Sequence, residues 1–419
     1  MSYRLLFRES GTSVPTWALV AVGARMPVAM APLALVLLVR ERPGGYTLGA
    51  VLAAVYVVGE IVGAPLLGTR MRADRARPQL AAGLAVGACG FGALGVLPGA
   101  PPVLLGVFAF VAGAAPAAAP GGLRALLTAL APERAVQQAM SFESMLTFGV
   151  WALAPAATAW LALSVAPWVP LLLACGLMAL SVPGLWLLPA GWAAGGDAGR
   201  RPGVRVLMRA WPVYVTGAAS LSLLAMAELI LPALLEQRGF GVGLAGPLLA
   251  GFSVGSAVGA FVYGLRAWPG RLPTQGLVLV LGVSGCVAGV ALVPWAGVIA
   301  VGLVVAGVLQ AGAMLTRNLM LREVLPPGAL AAGYSVMYAA VGAGYAGSGS
   351  LAGVLLRVVS PGGAVLSGVG VTVVLGVVGF WGERRSRGAA GIDGEFPAPL
   401  KPVVTRGSRR GWSRSSPRP

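Results

Sequence analysis

The sequence predicts an all-α membrane protein: twelve transmembrane helices in two pseudo-symmetric six-helix bundles. Three observations carry the prediction. Of 419 residues, 57% are hydrophobic and only 10% charged, whereas a soluble domain is nearer a quarter charged. A segment near residue 60 returns 196 positions later. Arginines crowd alternate loops between the apolar runs.

The repeat sets the architecture. Val58, Gly59, Val62, Gly63, Ala64, Gly68 and Arg70 are answered in register by Val254, Gly255, Val258, Gly259, Ala260, Gly264 and Arg266. Upstream, Leu52 meets Leu248 and Arg42 meets Arg238. A fixed long period marks a duplicated structural unit. The first two glycines of each copy are four apart, so they share a helix face and admit a neighbouring backbone. Glu60 breaks the symmetry, with Ser256 opposite it.

In chain order, residues 1–13 form a short basic arm with Arg4 and Arg8. The apolar run that follows is too long for the core of a signal peptide and reads as a retained helix. A span needs about 20 apolar residues. That criterion marks 14–39, 46–67, 79–97, 102–123, 136–160 and 167–188, then 211–235, 241–265, 273–294, 295–316, 329–359 and 363–381. The polar break at 189–210 is a linker between the bundles, 14–188 and 211–381. The tail, 382–419, is rich in Arg, Ser, Gly and Pro without apolar period and is expected to be disordered.

Loop charge sets orientation. With the N-terminus in the cytoplasm, sixteen arginines outside the tail fall on the inner side and four on the outer. Both termini are therefore expected in the cytoplasm, in the cell membrane. The same count accounts for the net charge of +17: it is topology plus tail, and no nucleic-acid role is needed. Histidine is absent, and Lys401 is the only lysine. A phosphate-cradling loop, which needs its lysine, is excluded. Cys89, Cys175 and Cys286 lie singly in apolar runs and read as small hydrophobes. No metal, cofactor or enzyme active site is expected.

Ionisable residues inside a membrane are costly and usually functional. There are four: Arg25 in the middle of the first span, Glu60 in the second, Glu143 in the fifth and Glu228 in the seventh. An arginine at mid-bilayer costs roughly 2.5–3.5 kcal/mol on insertion scales, so Arg25 should face the interior and a carboxylate. Glu60 is nearest to it by sequence and depth. Arg25, Glu60 and Glu228 are candidates for binding an anionic or polar substrate group, and Glu143 and Glu228 for carrying a proton. Arg124 and Arg317, at matching inner ends of spans four and ten, read as snorkelling arginines. Tyr56, Trp151, Tyr214, Tyr338 and Tyr345 are available to line a central cavity.

Two parallel six-helix repeats joined by a polar loop are the layout of a secondary transporter. Across residues 14–381, and in the loop Gly68 to Arg77 with Asp74 and Arg75, the chain resembles the major facilitator superfamily. Its loop departs from the family pattern: Asp74 lies six positions after Gly68 rather than four, and Arg77 stands where the family has a second glycine. The resemblance implies that Gly68, Asp74 and Arg75 form a gating loop locking the two halves in one state. It also implies, through Ala154 and Pro155 in span five, the kinked helix of proton-coupled exporters. The expected function is alternating-access transport of a small organic molecule by a monomer in the lipid bilayer, by proton-coupled efflux. A proton-linked importer and a non-transporting scaffold or sensor are the alternatives.

Overall fold

Apolar runs in this chain form helices because only a helix satisfies its own backbone in lipid. The computed structural model describes residues 3–43, 45–189, 202–265 and 268–392, with no strand among them. The helices are α1 (Tyr3–Ser10), α2 (Ser13–Val39), α3 (Gly45–Gly68), α4 (Ala76–Val96), α5 (Pro102–Ala114), α6 (Ala119–Leu130), α7 (Val136–Ser164), α8 (Val169–Gly184), α9 (Val204–Met208), α10 (Trp211–Gln237), α11 (Ala245–Leu265), α12 (Leu272–Leu292), α13 (Ala296–Val324), α14 (Leu330–Leu355) and α15 (Pro361–Ile392). Among the described residues, eleven spans are long and apolar enough to cross a membrane, α5 and α6 together making one of them. The protein is a multi-pass membrane protein. α14 is not among the eleven although it has 26 residues: its Gly, Ser and Tyr content dilutes its hydropathy.

The packing repeats as the sequence does. α2 packs on α7 and α8, α3 on α5, and α4 on α5 and α8. Correspondingly, α10 packs on α14 and α15, α11 on α13, and α12 on α13 and α15. The two sets meet where α3 and α6 touch α14 and where α7 touches α11. The repeated glycines make this possible. A Cβ on Gly59 would lie 2.6 Å from the Phe110 carbonyl of α5, and one on Gly63 would collide with Ala114. Gly255 and Gly259 press in the same way on Val304 and Val308 of α13.

Two arginines also match across the repeat. Arg42 donates to the carbonyls of Pro98 and Ala100 just past α4. Arg238 donates to Val290, Ala291 and Val293 at the end of α12. Arg238 thus satisfies carbonyls that the end of α12 leaves orphaned, while Arg42 ties down the loop that follows α4.

The elements differ from expectation in several places, among them the tenth span, which runs on to Val324 rather than ending at 316, and the linker, which holds the short helix α9. The fourth span does not end at 123: α5 breaks off at Ala114, before Pro116, and α6 runs on to Leu130. The arm is a helix rather than a bare basic stretch. The tail's first residues, expected to be disordered, continue α15 as far as Ile392; the remainder of the tail and residues 190–201 of the linker lie outside the described residues.

Candidate functional site

Arg25 sits midway along α2 and is 8% exposed. Pro27 and Pro32 follow it inside the helix, and each removes a ladder hydrogen bond. Arg25 does not pair with Glu60, as sequence proximity suggested. Its Nη2 donates to Glu143 Oε1 of α7 at 2.7 Å, and its Nη1 to Thr147 Oγ1 at 2.9 Å. Thr147 in turn donates to the Glu143 carbonyl at 3.0 Å. A hydroxyl has one proton, so this backbone bond turns the threonine into an acceptor aimed at Arg25.

Arg124 reaches the same carboxylate oxygen. Its Nη2 lies 2.6 Å and its Nε 3.1 Å from Glu143 Oε1. It is not a snorkelling residue: it is 6% exposed, because α6 continues about two turns beyond it. Trp17 fixes this arrangement. Its indole N–H donates to the Leu123 carbonyl at 2.7 Å, and its ring lies 5.9 Å from the Arg25 guanidinium carbon. Two guanidiniums thus share one oxygen of a fully buried carboxylate, while Glu143 Oε2 has no partner. The cluster carries one more positive than negative charge, in surroundings where that imbalance is costly.

The other carboxylates keep neutral company. Glu60, half-buried on α3, accepts from Tyr56 at 3.2 Å and from Tyr338 of α14 at 3.3 Å. Glu228 of α10 accepts from Tyr345 at 3.1 Å, among Leu224, Phe252 and Gln310. It stands apart from the arginine cluster. One turn before Tyr338, the Tyr334 ring lies 5.5 Å from the Arg124 guanidinium carbon. Tyr334 and Tyr338 therefore bring α14 against both charged groups of the first set.

Nearer the arm, the two sets close on each other. A Cβ on Gly68 would collide with Ser335 of α14, and one on Gly264 with Ser141 of α7. Gln137 and Gln138 donate to the carbonyls of Tyr263 and Gly264 at 2.8 and 3.1 Å, and Ser141 to that of Ala260. Hydrogen bonds between the sets run from Tyr3–Phe261 in the arm through Gln137, Gln138 and Ser141 to the level of Glu60–Tyr338. Asp74 makes a two-pronged pair with Arg72 of its own loop, 3.1 Å at each oxygen, and lies 3.9 Å from Arg75. Of the expected gating loop, only Gly68 stands in the seam between the sets.

The sequence pointed to Arg25, Glu143, Glu60 and Tyr338. It missed Trp17, Thr147, Tyr334 and the burial of Arg124. Proline spacing carried the missing signal: α6 ends at Leu130, two residues before Pro132, and not at Arg124. Arg317 is 5% exposed and lines a small cavity with Thr216, Gly276, Phe380 and Glu383. Without these two arginines, the expected inner-loop count by sequence is fourteen against four.

No protein-family model and no curated protein sequence matches this chain. Solved structures do. The human organic anion transporter MFSD10 (TETRAN) aligns over 88% of this chain and 99% of its own, with TM-score 0.70 and 16% identity. The proton:xylose symporter XylE, a major facilitator superfamily protein solved with 6-bromo-6-deoxy-D-glucose, aligns over 90% and 96%, at 0.66 and 14%. A bacterial homologue of the iron transporter ferroportin, in an outward-facing state, aligns over 91% and 100%, at 0.69 and 13%. The chain has the fold of major facilitator superfamily transporters.

Proposed function

We propose that this protein is a secondary transporter of a small organic anion, working by alternating access in the cell membrane. One observation carries the reading: a buried Arg25–Glu143–Arg124 cluster with surplus positive charge, beside the seam between two repeated helix sets. An anionic substrate group and Glu143 compete for the same guanidiniums. A Glu143 displaced by substrate loses both guanidinium partners, and in this reading a proton takes their place. Glu228, held by one phenol, is a second proton carrier on the other half. MFSD10, of the same fold, is described as an organic anion transporter.

In this reading α14 completes the twelve spans as the eleventh in chain order, and residues 14–188 and 211–381 are two six-helix bundles that rock about the site. The arm side, rich in arginine, is cytoplasmic, so the described state is closed inward. The protein acts as a monomer. Proton-coupled efflux rests on the resemblance at Ala154 and Pro155, the proline lying inside α7. The charge exchange at Glu143 favours the other direction of coupling, an anion moving together with a proton. The test is uptake of labelled organic anions into proteoliposomes under imposed pH gradients. Arg25→Ala and Glu143→Gln are expected to abolish gradient-driven flux in folded protein. Unchanged flux in both variants would sink the proposal, and stimulation by a gradient of the opposite sign would restore efflux.

A further inference from the structure

α14 brings the second helix set against Glu60 and Arg124 of the first, and it does so with two phenols one turn apart. Tyr338 donates to Glu60 Oε1 at 3.3 Å, beside Tyr56 at 3.2 Å. The Tyr334 ring faces Arg124, and its hydroxyl is occupied within its own set by the Asn318 carbonyl at 3.1 Å. Between them lies Ser335, fully buried against Gly68 and Gly121. The residues that read the charges are thus contiguous with the residue that closes the seam.

We propose that Tyr338 is a positioning residue that links the protonation of Glu60 to closure of the arm-side seam. The inference rests on the alternating-access reading. An ionised Glu60 receives two charge-assisted hydrogen bonds, which are about twice as strong as neutral ones. Tyr338 is then drawn onto α3, and Ser335 with it. A protonated Glu60 offers only neutral bonds, and α14 is released. The charged and titratable groups around Glu60 fit this role. Tyr56 shares its helix, and α14 supplies Tyr338. α2 supplies Arg25 and α6 supplies Arg124, both engaged by Glu143. α5 has no titratable side chain at all.

The experiment needs no substrate. With Cys89, Cys175 and Cys286 replaced by alanine, spin labels are placed at the exposed positions Arg70→Cys and Gly328→Cys, on the two sides of the seam. Their distance distribution is measured in lipid nanodiscs between pH 5 and 8.5. The parent protein is expected to shift towards the longer distance at acid pH. The two populations should change in ratio by roughly tenfold, the scale separating charge-assisted from neutral bonds. Glu60→Gln should hold the acid-like distribution at every pH. Tyr338→Phe, which keeps the ring and loses the donor, should flatten the profile. Tyr334→Phe keeps its ring over Arg124 and should preserve the profile. A Tyr338→Phe profile like the parent's, or a parent that ignores pH while still populating both distances, overturns the inference. A single distance in every variant overturns the alternating-access reading itself.

Discussion

Ser335 of α14 lies on Gly68 of α3 so closely that no Cβ fits between them, and Ser141 of α7 lies on Gly264 of α11 in the same way. The two contacts are twins in the repeat, each pairing the third glycine of one copy with a serine of the other half. Gly68→Ala therefore forces the seam apart. It is expected to move the Arg70/Gly328 label pair to the longer distance without unfolding the protein, because the strain is relieved by rocking. A shortened or unchanged distance would count against the seam as the closing surface.

Glu143→Gln leaves two buried guanidiniums facing each other. Breaking a buried ion pair by removing one partner costs roughly 3–5 kcal/mol. A clear fall in Tm is expected. Added carboxylate anions should recover part of it, since a ligand bound to the folded state stabilises it. Thermal unfolding in detergent with acetate or benzoate, against sodium chloride at equal ionic strength, checks both effects.

Among the described residues, the arm bridges the halves at the Gly264–Ser141 contact. Tyr3 stacks on Phe261 of α11, with centroids 5.3 Å apart and planes 5° apart, and donates to its carbonyl at 3.1 Å. On the other half, Phe7 meets Phe142 edge-on and Glu9 pairs with Arg134 at 2.8 Å. An aromatic pair contributes about 0.5–1.5 kcal/mol beyond its area. Tyr3→Ala should therefore favour the seam-open state several-fold, measured by the same label pair, with Tm almost unchanged.

Arg238 closes three carbonyls at the end of α12. Arg238→Ala is expected to lower Tm, on the scale of about 1–3 kcal/mol for buried groups left unsatisfied, and to leave the pH response of the seam intact. A lost pH response would make this residue part of the gate rather than a cap.

How much of this was legible follows from what each residue pays for. A charge in lipid is expensive wherever it points, so Arg25, Glu60, Glu143 and Glu228 announced themselves from hydropathy alone. The repeat was legible because glycines at fixed spacing serve a backbone contact that both copies need. The choice of partner was not. Arg25 and Glu60 are close in sequence, but partnership depends on depth and on rotation about each helix axis, and α7 rather than α3 turns its carboxylate towards Arg25.

Arg124 shows the same limit. As a residue near the end of an apolar run, it looked like a member of the inner loop. The break before α6 and the continuation to Leu130 bury it instead, and Trp17 anchors the neighbouring carbonyl. The sequence by itself determined the solvent this chain lives in, its doubled helical plan and which side chains had to find shelter from lipid, because those follow from transfer free energies that each residue carries with it. Only the tertiary structure decided which of those side chains shelter one another, because a hydrogen bond needs two groups within about 3 Å, and helices far apart in the chain come that close only when packed.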